Sequence, residues 1–132
     1  MIFKSGDTFE QTFIVTEQIY LDFINTFGDK NPLHSSDEFA KQHGFNSCVM
    51  HGNILNGFVS FFIGECLPCK NVIIHAQNID FKNPVYMNDN LVFKATVVEV
   101  FESVNAVEFK FSFQNPALKT VAKGKIQIGI LL

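Results

Sequence analysis

Apolar positions along the chain change their spacing twice. Residues 8–15, TFEQTFIV, partly alternate apolar with polar, as a half-buried strand does. From Thr16 the spacing lengthens. Ile19, Tyr20, Phe23, Ile24 and Phe27 share one helical face, Thr16 is placed to cap that helix, and Gly28 to stop it. After the polar run GDKNPLH (28–34), Ser35 and Glu38 fit a capping box. They open a short helix through Phe39, Ala40 and His43 that ends at Gly44. Residues 52–66 are apolar nearly all round, the pattern of a helix buried in a core. Gly57 and Gly64 permit close backbone packing there, and Pro68 ends it. From residue 72 the period falls to near two. Segments 72–82, 90–101, 104–114 and 119–131 are bounded by Asn83-Pro84, Asn88-Asp89, Ser103 and Asn115-Pro116.

One strand, two short helices, one long apolar helix and four long strands with short links favour antiparallel pairing. A single apolar helix needs cover on several sides. A curved antiparallel sheet wrapped around it supplies that cover, which predicts an α+β hot-dog arrangement; an open α+β sandwich is the alternative. At 132 residues, with no repeat or linker, a single domain over 1–132 is expected.

Composition adds material and removes function classes. The chain is 47% hydrophobic and holds sixteen Phe and no Trp, enough for a core and an apolar pocket. The net charge of −3 gives no footprint for nucleic acid. Every basic residue is Lys, so no guanidinium fork exists for phosphate. Lys side chains or backbone N–H groups would have to meet a phosphate-bearing ligand. MIFKSGDTFEQ lacks the apolar core of a signal peptide. Residues 54–67 are interrupted by Asn56, Gly57, Ser60, Gly64 and Glu65 and are too short and polar to span a bilayer. A soluble, cytoplasmic protein without membrane contact is expected. Three Cys argue against a disulfide framework. Cys66 and Cys69 have C-x-x-C spacing, but without a second pair or a preceding strand they read as incidental thiols.

Three places carry candidate chemistry. Asp29 and His34 flank Pro32, and Asn31 before the proline is pushed towards extended geometry. The segment is then a bent loop with His34 just ahead of the next helix. Either the loop is a plain polar turn, or it folds carboxylate and imidazole onto one point, where a neutral His acts as a base. At His51-Gly52 a helix begins without an obvious capping side chain, so its first N–H groups lack partners. Gly52 could hold a carbonyl oxygen that gains negative charge, or the end is capped by solvent or another segment. Ser60, mid-helix, either bonds the carbonyl four residues back or supports a site. It has no nucleophile-elbow context. His43 and His75 are isolated, and no metal-ligand spacing is present. Neither a metal nor a cofactor is expected.

Taken together, GDKNPLH, SSDEFA and VMHG, the last with His51 seventeen residues after His34, resemble the MaoC-like (R)-specific enoyl-CoA hydratases and 3-hydroxyacyl thioester dehydratases. The family pattern Gly-Asp-x-Asn-Pro-aliphatic-His, with a small residue six positions on, is matched from Gly28 to His34 and at Ala40. FKNPVYMNDNL (81–91) is similar to a strand-to-strand stretch of the same family. The resemblance implies a hot-dog hydratase or dehydratase. Asp29 and His34 would share the catalytic water, the Gly52 N–H would bind the thioester carbonyl, and Asn31, Ser60 and His51 would support them. It implies an acyl-CoA or acyl-carrier-protein thioester substrate and a homodimer. Lys30, Lys41, Lys70 and Lys82 would stand in for the missing arginine anchors. Phe27, where the family has a small residue, would narrow the acyl pocket or face the core. A hot-dog thioesterase or a non-catalytic acyl-thioester-binding subunit are the alternatives.

Overall fold

The computed structural model describes residues 1–132. Strand β1 (Thr8–Ile14) leads to helix α1 (Glu17–Phe27). The Thr16 hydroxyl accepts the Ile19 N–H at 3.2 Å at its start. At its end Gly28 turns left-handed (φ 75°) and its N–H returns to Ile24 O at 2.7 Å. Two short helices follow, α2 (Pro32–Ser35) and α3 (Asp37–Gln42). Helix α4 (Gly52–Phe61) then continues into a π-helical turn at Phe62–Cys66, and the strands β2 (Val72–Phe81), β3 (Asn90–Phe101), β4 (Ala106–Gln114) and β5 (Thr120–Ile130) complete the chain. The five strands form one antiparallel sheet in the order β1-β3-β4-β5-β2.

Alternation along β3 and β4 explains the layering. Phe93, Ala95 and Val97 of β3 and Val107, Phe109, Phe111 and Phe113 of β4 point to one buried face, as a period of two requires. Against that face α4 buries Ile54, Leu55, Phe58 and Val59, and the π turn buries Phe62 and Ile63. Phe13 stacks on Phe58 with ring centroids 4.5 Å apart, and Phe62 meets Phe109 edge-on at 5.9 Å. Burying one such Phe contributes about 1.5–3 kcal/mol. The phenylalanine-rich core therefore fixes α4 on the sheet, and with it the position of the α4 N-terminus.

Two expectations are corrected. The helix cap after the polar run is Ser36, whose hydroxyl accepts the Phe39 N–H at 3.1 Å. Ser35 cannot serve, because its hydroxyl donates to the carbonyls of Lys30 and Asn31 at 3.0 and 3.2 Å. Nor is α4 covered all round. Asn53, Gly57, Ser60 and Phe61 lie on an exposed stripe that continues to Gly64. The sheet covers one side only, and its edge strand β2 is exposed along most of its length.

Candidate active site

The polar run folds as a single helical turn. Asn31 caps α2, its side-chain oxygen accepting the Leu33 N–H at 3.0 Å, and Pro32 takes the first helical position, where its missing N–H costs nothing. Asp29 Oδ1 in turn accepts the Asn31 N–H at 3.1 Å. His34 therefore lies within α2, not in a loop ahead of a helix. Its N–H reaches Asn31 O at 2.8 Å. Tyr20 on α1 donates its hydroxyl to His34 O at 2.6 Å. Burial, with the Cys48 and Asp37 charges adding to it, pushes the Tyr20 phenol above its ordinary value, so it stays protonated as a donor.

The ring of His34 has one defined tautomer. Its Nδ1 is 2.7 Å from Val49 O. A carbonyl only accepts, so Nδ1 carries a proton, and in the neutral ring Nε2 keeps the free lone pair. His51, 3% exposed, stacks on His34 with ring centroids 4.1 Å apart and meets Phe23 at 4.6 Å. Its Nε2 lies 2.9 Å from Asp29 O and 4.0 Å from Asp29 Oδ2. By the same logic Nε2 donates to the carbonyl. The buried Nδ1 of His51 has no partner, which suits a bare lone pair better than an N–H. His51 thus pins the Asp29 backbone from 22 positions away.

The fold gathers what the sequence separates. Polar atoms of Asp29, His34 and His51 all lie within 4.8 Å of one another. Spacing alone left the Asp29–His34 pair open against a plain turn, and only the family resemblance added His51 to it. Its donor set does not fit a metal ion, because His51 spends Nε2 on the Asp29 carbonyl and its lone pair is on the buried side. One imidazole lone pair and one half-exposed carboxylate remain to face a common small molecule. Two groups at this separation can be bridged by one water.

At the α4 N-terminus no side chain caps the helix. Ile54 N–H returns to His51 O at 3.1 Å, and the N–H groups of Gly52 and Asn53 ahead of it have no acceptor in the chain. A Cβ on Gly52 would come within 2.7 Å of the Phe81 ring, so only glycine leaves the ring where it lies. A cleft of about 410 Å³ contains Gly52, His34, Phe81 and Lys82, and a second of about 840 Å³ contains Asp29, Phe23, Phe27 and Asn56. Phe27, 71% exposed, packs on Phe23 at 4.9 Å and walls the second cleft rather than the core. Ser60 is exposed, two turns along α4, and makes no hydrogen bond to Asp29 or to the carbonyl four residues back. His43, stacked on Phe39, and His75, on β2, are exposed. Cys48, Cys66 and Cys69 are unpaired. Of the four lysines, Lys82 lines the Gly52 cleft, while Lys70 pairs with Glu65 at 3.0 Å. No helix is long and apolar enough to cross a membrane.

Comparison with known proteins places this geometry. The model of the MaoC like domain matches residues 5–116. An (R)-specific enoyl-CoA hydratase from Rhodospirillum rubrum is 30% identical over 108 residues, covering 81% of this chain and 74% of its own. A 3-hydroxybutyryl-CoA dehydratase from Methylorubrum extorquens is 32% identical over 78 residues, 59% of this chain and 50% of its own. The matched region is thus about half the length of that dehydratase. The (R)-hydratase of A. caviae superposes with a TM-score of 0.90 at 22% identity, covering 98% of both chains, and establishes the hot-dog architecture. With a family model that spans most of its length and a relative matched over three quarters of that relative, the chain belongs to the MaoC-like domain family.

Proposed function

We propose that the protein, as a single MaoC-like domain over residues 1–132, reversibly hydrates trans-2-enoyl thioesters to (R)-3-hydroxyacyl thioesters. The observation that carries this reading is the fixed His34 tautomer, with a free Nε2 beside the Asp29 carboxylate. One water between them meets both requirements of the reaction. His34 Nε2 draws a proton from the water, and its oxygen bonds to C3. The C2–C3 π electrons move towards the thioester oxygen, which lies against the Gly52 N–H at the positive end of α4. The proton held by the Asp29–His34 pair is returned to C2, and the thioester carbonyl re-forms. In dehydration each step runs backwards. A donor such as the Gly52 N–H typically lowers the barrier by about 3 kcal/mol, and acid–base assistance adds on the order of 10²–10⁴-fold. The Asn31 N–H holds the Asp29 carboxylate, and His51 holds the Asp29 backbone. Ser60 is exposed on the uncovered stripe of α4 and makes no hydrogen bond to Asp29, so the supporting role that the resemblance implied for it has no contact behind it.

The carrier is coenzyme A or an acyl carrier protein, with Lys82 the cation best placed to meet its phosphate. The functional unit is a homodimer. Edge strand β2 leaves Ile73, Ile74 and Phe81 exposed, and a long apolar edge of this kind is stable in water only when paired or covered. The odd cysteine count fits the cytoplasm. The reading is tested by following loss of enoyl-thioester absorbance and the handedness of the product. Water addition that yields the (R)-3-hydroxyacyl thioester supports it. Release of free thiol without hydration replaces it with a thioesterase.

A further inference from the structure

The two clefts of the site meet at Asn53 and differ in charge. The smaller, at Gly52, carries Lys82 and no carboxylate. The larger, at Asp29, carries Asp22 and Asp29 and no base. A phosphate-bearing carrier is drawn to the first and repelled by the second. This step rests on the hydratase reading, in which the thioester oxygen lies at Gly52 and C3 at the water beside Asp29. The carrier arm then leaves past Phe81 and Lys82, and the acyl carbons beyond C3 run into the larger cleft.

That cleft has an aromatic wall that starts at the base. His51 stacks on His34 with ring centroids 4.1 Å apart, Phe23 meets His51 at 4.6 Å, and Phe27 meets Phe23 at 4.9 Å. Spacings in this range are those of rings in direct contact. The rings therefore form one continuous ladder that leads from His34 to solvent: His51 is 3% exposed and Phe27 71%. Phe23 packs against the core, whereas Phe27 does not. Phe27 is the most exposed phenylalanine of the chain, and Phe23 is its one aromatic neighbour. A ring held in this way adds nothing to the core and adds apolar surface to the cleft, whose other apolar lining is Ile19, Ile54 and Phe58. About 840 Å³ stays open beside it, so the ring lengthens the wall rather than closing the cleft. An acyl chain laid along the ladder removes water from both surfaces.

We propose that Phe27 is a specificity-determining residue for acyl length, whose ring extends the apolar wall so that the site favours medium-length unbranched enoyl thioesters over the crotonyl thioester. A methylene moved from water onto an apolar wall is typically worth about two- to fourfold in affinity. The test measures kcat/KM for crotonyl-, trans-2-hexenoyl-, trans-2-octenoyl- and trans-2-decenoyl-CoA. Crotonyl-CoA has only a methyl group beyond C3 and is too short to reach Phe27, so it reports on hydration itself. The parent is expected to gain about tenfold or more from crotonyl- to decenoyl-CoA. Phe27→Ala is expected to lose about fivefold or more of that gain, through a raised KM for the longer thioesters at unchanged kcat, because a wall contact is equally strong in the ground and transition states. Phe27→Gln, a helix former without an apolar ring, should match it, and Phe27→Leu, which keeps most of the apolar surface, should retain most of the gain. All three should leave crotonyl-CoA turnover unchanged, and thermal melting separates lost folding from lost preference. Crotonyl-CoA turnover without a gain for the longer chains, or a gain that folded Phe27→Ala and Phe27→Gln leave intact, overturns this inference and leaves the hydratase reading standing. No turnover of any of the four thioesters overturns both.

Discussion

Gly52 combines two constraints that a single methyl group would break. Its N–H must stay open towards the smaller cleft, and its α-carbon must tolerate the Phe81 ring. Because that ring is 52% exposed, Gly52→Ala should displace it into the cleft rather than unfold the chain. The expected result is a rise in KM and a fall in kcat/KM of about tenfold or more, with a melting temperature close to the parent's, read by steady-state kinetics and calorimetry. Cys48 shows the opposite case, a reactive group held quiet. Burial first, then its hydrogen bond to Asp37, pushes the thiol up to about 11. The Cys48 N–H to Asp37 Oδ1 bond at 2.9 Å in turn holds the Asp37 carboxyl below its usual range. An unfolded thiol ionises near pH 8.5, so between about that pH and 11 the unfolded chain loses a proton that the folded chain keeps. Stability therefore falls with rising pH in that window. Denaturant titrations of the parent and of Cys48→Ser should show the parent losing stability relative to the variant there, and a constant difference below pH 8. Some of these residues could be read in advance and some could not. Thr16 and Gly28 act as their types predict, because a cap is a local device. Ser35 lost the cap to Ser36 because carbonyls five and four positions back claimed its hydroxyl, a competition that a capping pattern does not encode. For His51 the residues alone showed only a missing cap, and the family resemblance implied a supporting place without naming its partner. Its partner at Asp29 is brought in by the packing of α1 against α4.

At the scale of elements, the periods of two and 3.6 located every strand and every helix of more than one turn, with strand ends shifted by at most two residues. The single-turn α2 escaped, since one turn shows no period; the capping Asn31 and Pro32 were its only signal. Periodicity also could not say how much of α4 the sheet would cover. An all-round apolar pattern reads as full burial, yet Ser60 and Phe61 face outward. The exposed α4 stripe and the exposed β2 edge are both explained if a second copy adds its own β2 alongside. Introducing a charge on that edge should therefore separate the copies. Ile73, 48% exposed, is suited to this because it is away from the site residues. Ile73→Lys should shift the mass measured by light scattering from dimer to monomer, with far-ultraviolet dichroism unchanged. A parent that is already monomeric at assay concentration would remove the dimer from the account.

For the whole molecule, the phenylalanine core is the support on which the chemistry depends. The stack of Phe13 on Phe58 and the edge contact of Phe62 with Phe109 hold α4 on the sheet. That fixes Gly52 at one end of α4 and, through His51, the backbone of Asp29. Tyr20 and Val49 orient His34 from two other segments. The site is therefore a property of the assembled fold: no stretch of the sequence contains more than half of it, although GDKNPLH contains the pair expected to move protons. The most direct test uses that pair. Asp29→Asn and His34→Gln keep size and shape, and neither side chain is in the core, so both variants should fold and melt like the parent. With crotonyl-CoA and the parent as reference, loss of enoyl absorbance should slow by at least about 10²-fold in each, the scale of acid–base assistance. Two folded variants that hydrate crotonyl-CoA at the parental rate would contradict the account.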